Sequence, residues 1–266
     1  MIRQSRFFIL AMVLVLTGCA TGPTKQDPLE HFNRAMFDFN DTLDKVALKP
    51  AAEAYAKVTP SFVQTGIGNF FGNIGDVWTS VNNLLQGKIE AGLSDFMRFT
   101  LNSTMGIGGL FDIASEAKIP KHKEDFGQTL GVWGVASGPY IVLPLLGSST
   151  IRDTVALPLD YKGDLWSHVY PVDLRNTGTV VRLVDQRAAL LDASNLLEDA
   201  ALDRYEFVRD GYLQRRQSKI SDGGEYKPKK LLIFGKDAEI GPGADPAPAP
   251  DADVNPKEKV KAEETK

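Results

Sequence analysis

Cysteine is almost absent from this chain, since Cys19 is the only one in 266 residues. Disulfide bonds and cysteine-rich metal sites are therefore excluded, and packing or a membrane has to hold the fold. Histidine is scarce too: His31, His122 and His168 lie far apart, and their spacing matches no metalloprotease or Cys/His motif. We predict neither a metal site nor a cofactor.

The chain also lacks an excess of basic charge and any long apolar run. Its 30 Lys and Arg stand against 34 Asp and Glu, which gives a net charge of −4 without a basic stripe. Nucleic acid is therefore excluded as a partner. The apolar run over residues 7–16 is too short to span a bilayer.

What the first residues do contain is the layout of a removable export signal. Arg3 and Arg6 precede the apolar run, and small residues then lead to Cys19. This segment resembles a bacterial lipoprotein signal, in which the cysteine thiol is acylated and becomes the first residue of the mature chain. We predict a signal peptide over residues 1–18, lipid attachment at Cys19 and a linker over 19–27. Because Ala20 follows the cysteine, we expect export to the outer membrane, where the protein would lie in the periplasmic leaflet.

Apolar residues recur at helical spacing through most of the chain. The first set lies on one face of a helix, which is predicted to begin with Asp27 as N-cap and Pro28 in the first turn. Lys49-Pro50 predicts the end of this helix. Short helices are predicted over residues 51–58, 62–71, 77–85, 89–101 and 149–157, and longer ones over 180–197 and 205–213. We predict an all-α domain of short amphipathic helices over residues 28–234 and a disordered Pro, Ala and charge-rich tail over 235–266.

Glycine and proline are concentrated between residues 126 and 147. Gly127, Gly131, Gly134 and Gly138 follow at steps of four, three and four, which predicts a shared helix face open to close approach by a backbone or a lipid chain. Two prolines then interrupt an apolar run, which excludes a long helix or a central strand there.

Two motifs with a chemical interpretation are weak. Ser137 falls one residue short of a G-x-S-x-G nucleophile elbow, and no strand precedes it, so a turn serine is the simpler interpretation. The run Gly66-Ile67-Gly68 resembles a phosphate loop but lacks both the strand and the Lys-Ser/Thr pair. Close helix packing accounts better for its glycines.

Three separate blocks resemble one known family. Residues 27–40, DPLEHFNRAMFDFN, are similar to the opening of the MlaA (VacJ) family of outer-membrane lipoproteins. Residues 126–131, FGQTLG, with Gly138-Pro139-Tyr140, Leu143-Pro144 and Arg152-Asp153, resemble its central block. Tyr205, the run 208–210, Tyr212 and the run 214–216 resemble its last helix.

The resemblance implies a ring-like arrangement of helices lying in one membrane leaflet around a central channel. Mislocalised glycerophospholipids would pass through the channel to a periplasmic lipid carrier of the Mla type, and trimeric porins would be further partners. It implies no enzymatic activity. The main alternative is a scaffolding lipoprotein that organises porins or the envelope without moving lipid, and a lipid hydrolase using Ser137 is a third hypothesis.

Candidate channel or gate residues come from the glycine and proline block and from the end of the first family block. The alternative interpretation for all of them is ordinary packing. They are Phe39, Asn40, Gly127, Gly131, Gly134, Gly138, Pro139, Tyr140, Leu143 and Pro144.

Overall fold

The computed structural model describes residues 27–222, apart from the side chains of residues 196–200. This part of the chain is mainly helical, which confirms the predicted fold class. The helices are α1 (Glu30–Leu43), α2 (Lys49–Val58), α3 (Ser61–Leu85), α4 (Ile89–Thr104), α5 (Ile113–Glu116), α6 (Phe126–Val132), α7 (Ile151–Gly163), α8 (Val172–Ala188), α9 (Leu191–Ala200) and α10 (Arg204–Ile220). Cys19, the linker up to residue 26 and the tail over 235–266 lie outside the described residues, so their assignments stay predictions.

The first helical segment differs from the prediction at both ends. Leu29 occupies the N-cap position of α1, and no side chain caps this end, so the predicted role of Asp27 as N-cap is wrong. The predicted end at Lys49-Pro50 is also wrong, because a π-turn over Asp44–Leu48 joins α1 to α2. In that wider turn the Lys49 amide bonds the Asp44 carbonyl five residues back, which makes room for a proline ring that an α-helical turn would exclude.

Helices α3 and α4 form an antiparallel pair joined by a short turn. The sequence predicted two short helices within residues 62–85, whereas α3 runs unbroken through its glycines. Two of those glycines have neighbours in other segments: a Cβ built on Gly66 would be 3.8 Å from Leu110, and one on Gly72 would be 2.9 Å from the Lys121 Nζ. That these glycines serve close packing stays a prediction, because the contact at Gly66 is of ordinary length and the one at Gly72 is with the flexible end of a lysine.

A two-stranded antiparallel hairpin interrupts the helices. Strand β1 (Tyr140–Leu143) pairs with β2 (Gly147–Thr150), and Tyr140 lies opposite Thr150. Pro139 and Pro144 flank β1 and donate no hydrogen bond, although the Pro139 carbonyl accepts one from the Ile151 amide at 3.2 Å. In this two-stranded hairpin neither strand is central, in line with the predicted absence of a central strand. The hairpin itself was not predicted, because its strands have four residues each and too few alternations to show a period.

The C-terminal helices meet the prediction in part. The single helix predicted over residues 180–197 is divided into α8 and α9, where the Leu190 amide makes a tight turn onto the Arg187 carbonyl. Helix α10 is confirmed, and Asp203 caps it by accepting a bond from the Glu206 amide. No helix within residues 27–222 is both long and apolar enough to cross a membrane.

Candidate functional site

The distribution of polarity in the described chain is inverted relative to a water-soluble domain. Seven apolar residues are buried there against seventeen polar or charged ones, while many large apolar side chains are exposed. Water-soluble domains bury mainly apolar side chains, and Asp, Arg and Asn are rarely fully buried without partners. The interior of this chain is polar and much of its exterior is apolar.

Helix α4 shows the inversion within one element. Its buried residues are Gly92, Asp95, Arg98 and Asn102, whereas the exposed ones include Ile89, Leu93, Phe96 and Met97. Both sets follow the helical period, so one face is polar and inward and the other is apolar and outward. A helix with this orientation suits a lipid surrounding.

The polar faces of α3 and α4 are joined by hydrogen bonds. Ser80 Oγ donates to the Gly92 carbonyl at 2.7 Å, and Asn83 Nδ2 donates to Asp95 Oδ2 at 2.8 Å. Asn73 adds a third bond, from its Nδ2 to Ser103 Oγ at 2.9 Å. These bonds replace an apolar helix interface, and they are needed because buried polar groups without partners are costly.

Arg98 is the fully buried centre of this polar interior. Its Nη2 lies 2.8 Å from both carboxylate oxygens of Asp112, and its Nη1 donates to the Ile119 carbonyl at 2.6 Å. Its Nε is 3.6 Å from Asp76 Oδ2, too far for a hydrogen bond, and neither atom has another hydrogen-bond partner. Arg98 therefore fixes α4 to α5 and to the loop after it.

The two carboxylates beside Arg98 have opposite pKa shifts. Burial raises the pKa of Asp76 to about 6, against the attraction of Lys121 and Arg98. Hydrogen bonds from Ser115 and Asn102, together with the Arg98 charge, outweigh burial and lower the pKa of Asp112 to about 2. The difference arises because Asp112 is well hydrogen-bonded, whereas Asp76 has one unpaired oxygen.

Two asparagines of α1 hold the open edge of the hairpin. Asn33 Nδ2 donates to the Tyr140 carbonyl at 3.1 Å, and its Oδ1 accepts from the Val142 amide at 2.8 Å. Two turns later, Asn40 Nδ2 donates to the Leu143 carbonyl at 2.9 Å and its Oδ1 accepts from the Leu145 amide at 2.8 Å. The amide side chains thus act as a neighbouring strand would, and they satisfy the edge of β1.

Helix α10 packs against the start of the described chain. The Tyr205 hydroxyl donates to Asp27 Oδ2, Asn33 Nδ2 donates to Asp27 Oδ1 at 2.7 Å, and Arg209 lies 3.6 Å from the same carboxylate. Tyr205 also contacts Tyr140, with ring centroids 6.3 Å apart. Asp27 is therefore the buried centre of a junction between α1, the hairpin and α10.

A second junction joins α10 to α6 and α7. Arg216 Nη2 lies 2.9 Å from Asp125 Oδ1 and 2.8 Å from Asp153 Oδ1, and the Tyr212 hydroxyl donates to Asp153 Oδ2 at 2.7 Å. Gly127 lies at this junction, because a Cβ there would be 2.6 Å from Asp153 Oδ1. Because glycine has no Cβ, Asp153 and Arg216 can form their ion pair directly beside it.

The candidate residues do not form one surface of a single helix. Gly127 and Gly131 lie in α6, but Gly134 and Gly138 lie beyond its end with φ of +96° and +68°, so the predicted shared face of four glycines is wrong. The helix ends at Val132 because a left-handed glycine at position 134 turns the chain toward the hairpin.

The remaining candidates are brought together around the hairpin. Tyr140 is buried in a small aromatic cluster with Tyr205 and Tyr212, whereas Pro139, Pro144 and Phe39 are exposed. Asn40 and Leu143 are hydrogen-bonded to each other. That these residues line or control a channel stays a prediction.

Sequence reasoning missed the residues that form the polar interior. Asp76, Asp95 and Arg98 were not selected, although they follow the helical period as regularly as the apolar residues. They would have been identified if the polar face of α4, rather than its apolar face, had been taken as the face that points inward. Within residues 27–222 no group of His, Cys, Asp and Glu could hold a metal ion.

Together, the helices with apolar outer faces, the polar interior and the amide-bound hairpin define a helical protein suited to contact with lipid. The particular family follows from comparison. The chain belongs to the MlaA lipoprotein family, whose model matches residues 25–219. This membership associates the chain with the outer membrane.

Named relatives cover most of the chain. It is 38% identical over 230 residues to the intermembrane phospholipid transport system lipoprotein MlaA of Escherichia coli (strain K12), covering 81% of this chain and 88% of that protein. The protein of the same description from Haemophilus influenzae is 35% identical over 235 residues, with 84% and 93% covered.

A solved structure supports the fold. It comes from work on the structural basis for maintenance of bacterial outer membrane lipid asymmetry, and the match has a TM-score of 0.62 with 38% sequence identity. It covers 74% of this chain and all of that one.

Proposed function

We propose that this chain is the outer-membrane lipoprotein of an intermembrane phospholipid transport system. It removes mislocalised glycerophospholipids from the outer leaflet through a central channel and so maintains lipid asymmetry. The observation that carries the proposal is the inversion of polarity, with a polar interior inside an apolar exterior. The names of the relatives in Escherichia coli and Haemophilus influenzae support it.

The chain lies in the periplasmic leaflet of the outer membrane. Helices suit this position because they satisfy their own backbone hydrogen bonds in lipid. The exposed apolar residues of α4 contact acyl chains, and the acyl groups on Cys19 deliver and orient the protein. The helices are arranged as a ring around the channel.

A phospholipid in transit needs a polar path for its headgroup and an apolar margin for its tails. The buried polar side chains of α3 and α4 bond to one another and hold these two helices together beside such a path, and the exposed Leu145 and Leu146 at the hairpin tip offer an apolar edge. Asn40 holds that tip by two hydrogen bonds, which supports its prediction as a gate-controlling residue next to Phe39.

The partners of this function are a periplasmic lipid carrier of the Mla type and trimeric porins. The carrier takes up the phospholipid on the periplasmic side, and the porins surround or border the lipoprotein in the membrane. The chain performs no covalent chemistry. Ser137 lies on an exposed loop that follows a helix rather than a strand, unlike the serine of a nucleophile elbow.

Deleting the gene tests the proposal. Aminophospholipids of the outer leaflet are quantified in intact cells with a membrane-impermeant amine reagent, and the deletion strain is compared with one that expresses the wild-type chain. We expect more labelled phospholipid and greater detergent sensitivity in the deletion strain. An unchanged outer leaflet would contradict the proposal. A Ser137→Ala chain restores the wild-type outer leaflet if no hydrolase activity is involved.

The scaffolding alternative is separated by the lipid that the protein retains. The full-length protein is extracted with a neutral detergent, purified and analysed for bound phospholipid by mass spectrometry. A transport protein retains phospholipid in its channel, whereas a scaffold for porins has no reason to do so. Phospholipid at no more than the level of an unrelated outer-membrane lipoprotein would favour the scaffold.

A further inference from the structure

A cavity of about 450 Å³ lies between the end of α7, a 3₁₀ turn over Leu165–His168 and α8. We call it the Trp166 cavity, after the indole in its wall. None of the candidate channel residues lines it, so it is separate from the hairpin region. Its walls are mostly apolar, with a few polar groups among them. Cavities of this volume and composition are typical of sites for small ligands.

The wall formed by Trp166 is fixed by packing and by hydrogen bonds. Its indole Nε1 donates to the Arg175 carbonyl at 3.1 Å and to Thr179 Oγ1 at 3.2 Å. The ring lies so close to α8 that a Cβ built on Gly178 would be 2.1 Å from Trp166 Cζ2. On another side the Phe71 ring meets the indole edge-on, with centroids 5.1 Å apart. This wall is therefore formed before any ligand arrives, which lowers the entropic cost of binding.

The Trp166 cavity carries one net positive charge. Arg182 Nη1 lies 2.6 Å from Asp164 Oδ2, so these two lining residues neutralise each other. Arg175 is the third charged residue of the lining, and in the described part of the chain it forms no ion pair. Its one side-chain hydrogen bond runs from Nη1 to the Ser167 carbonyl at 3.2 Å. The remaining N–H groups of this guanidinium can bind an anion.

A second donor lies beside Arg175. Ser167 Oγ is buried, and no atom within residues 27–222 forms a hydrogen bond with it. The Arg175 guanidinium bonds the backbone of this same serine, so the two donors belong to one corner of the cavity. Buried hydroxyls without a partner are costly, and an acceptor oxygen of a ligand would remove that cost.

The rim of the Trp166 cavity is apolar. Tyr161 and Val180 line the cavity and are exposed, and so is Leu165 in the adjoining turn. Tyrosine and tryptophan together are typical of the headgroup level of a membrane. The cavity volume suits a headgroup, whereas two acyl chains would have to extend over the apolar rim. The expected ligand is therefore an amphiphile with one negative charge.

We propose that the Trp166 cavity binds the phosphodiester of a phospholipid. Arg175 donates charge-assisted hydrogen bonds to the phosphate oxygens, and the Ser167 hydroxyl donates one more. The single negative charge of a phosphodiester matches the single net positive charge of the cavity. This assignment rests on the proposed function, which brings phospholipid to the chain, and it adds a site at which the lipid is held.

Lipid binding to the full-length protein in neutral detergent tests the site. The delipidated protein is titrated with phosphatidylethanolamine and, separately, with diacylglycerol, which lacks the phosphate, and bound lipid is counted by native mass spectrometry. We expect the wild-type protein to bind phosphatidylethanolamine about tenfold more tightly. Arg175→Gln should lose most of this difference. Arg215→Gln should keep it, because it removes the same charge from an exposed side chain outside the cavity.

A second pair of variants tests the site without removing Arg175, and it decides the matter if Arg175→Gln fails to fold. Asn176 is an exposed residue of α8 that lines the cavity. Asn176→Asp adds a negative charge beside the phosphate and should also reduce the preference for phosphatidylethanolamine. Asn195→Asp adds the same charge at an exposed position of α9 outside the cavity and should keep the preference.

Two results would overturn the proposal. One is equal binding of the two lipids by the wild-type protein, and the other is an undiminished preference in folded Arg175→Gln or in Asn176→Asp. Inorganic phosphate is titrated in a separate arm, and displacement of phosphatidylethanolamine at equal concentration would assign the cavity to free phosphate instead. The outer-leaflet assay remains independent. If gene deletion leaves the outer leaflet unchanged while the binding results hold, the proposed function fails and the site stands.

Discussion

Asn33 makes three hydrogen bonds that connect separate parts of the chain. Its amide reaches the Asp27 carboxylate, the Tyr140 carbonyl and the Val142 amide, and all of these groups are buried. A buried group that loses its partner costs about 1 to 3 kcal/mol. At the residue scale, buried amides and carboxylates therefore stabilise the fold, as apolar contacts do in most domains.

Replacing Asn33 tests this role. Asn33→Ala leaves three buried groups without this partner, so we expect the free energy of unfolding to fall by about 3 kcal/mol. The measurement is denaturant unfolding in detergent. Asn69→Ala is the matched control, because it removes a single bond to the Leu110 carbonyl at an exposed position. Equal losses in the two variants would contradict the assignment.

The raised pKa of Asp76 predicts a pH effect of definite sign. Its folded pKa of about 6 lies above the unfolded value of 3.8, so the folded state binds the extra proton. Stability then rises as the pH falls through 6, by about 1 kcal/mol between pH 7 and pH 5. Asp76→Asn removes this contribution. If the free energy of unfolding depends equally on pH in the wild-type protein and in Asp76→Asn between pH 7 and pH 5, the pKa of Asp76 is not raised.

At this scale the sequence predicted which residues matter near the first helix but not what they do. Asp27 was expected to cap α1, yet it bonds Tyr205, which is 178 positions away in the sequence. Local spacing contains no information on such a partner. Asn40 was selected from the family resemblance, and its contact with Leu143 needed the structure.

At the scale of elements, α10 is held to α6 and α7 by ion pairs that require a glycine. A Cβ on Gly127 would meet Asp153 at 2.6 Å and Arg216 at 2.7 Å. Contacts this short force side chains or backbone to move, at a typical cost of 1 to 3 kcal/mol. The small residue is thus a packing requirement of the junction.

Gly127→Ala should therefore loosen α10. We expect lower thermal stability and faster proteolytic cleavage within residues 204–220, measured on the purified protein in detergent. Gly75→Ala in α3 is the control, because a Cβ there meets nothing within 4 Å and alanine favours a helix by up to about 1 kcal/mol. Cleavage of both variants at the wild-type rate would show that Gly127 is dispensable.

Helix existence was predictable from the apolar period, but helix boundaries were not. Glycine and proline were taken as breaks within α3 and at Pro50, whereas α3 runs through its glycines and a π-turn lets the first helical segment continue past Pro50. The hairpin is too short for a period. Its open edge is bonded by Asn33 and Asn40 of the distant helix α1, and local sequence does not reveal these partners.

At the scale of the whole molecule, the proposed lipid attachment at Cys19 and the apolar exterior would have different roles. If the helices lie in the leaflet, acyl groups on Cys19 would direct the protein to its membrane more than they would retain it. We expect Cys19→Ala to fold but to be missing from the outer-membrane fraction of a density gradient. Wild-type abundance in that fraction would contradict this role.

The family and the helical class were predictable from three sequence blocks, and both are confirmed. The inverted polarity was not, because apolar residues at helical spacing do not reveal whether they face a core or a lipid. Only the burial of Asp95, Arg98 and their neighbours decides it.

The most direct test is therefore the contact of the apolar faces with lipid. Because Cys19 is the only cysteine and is predicted to be acylated, single cysteines can be introduced and labelled with a fluorophore. Phe96→Cys places a cysteine on the exposed apolar face of α4, and Gln214→Cys places one at an exposed position of the polar helix α10. In bilayers with quencher-labelled acyl chains, the account predicts strong quenching at position 96 and little at position 214. Equal quenching at both positions, or none at 96, would contradict it.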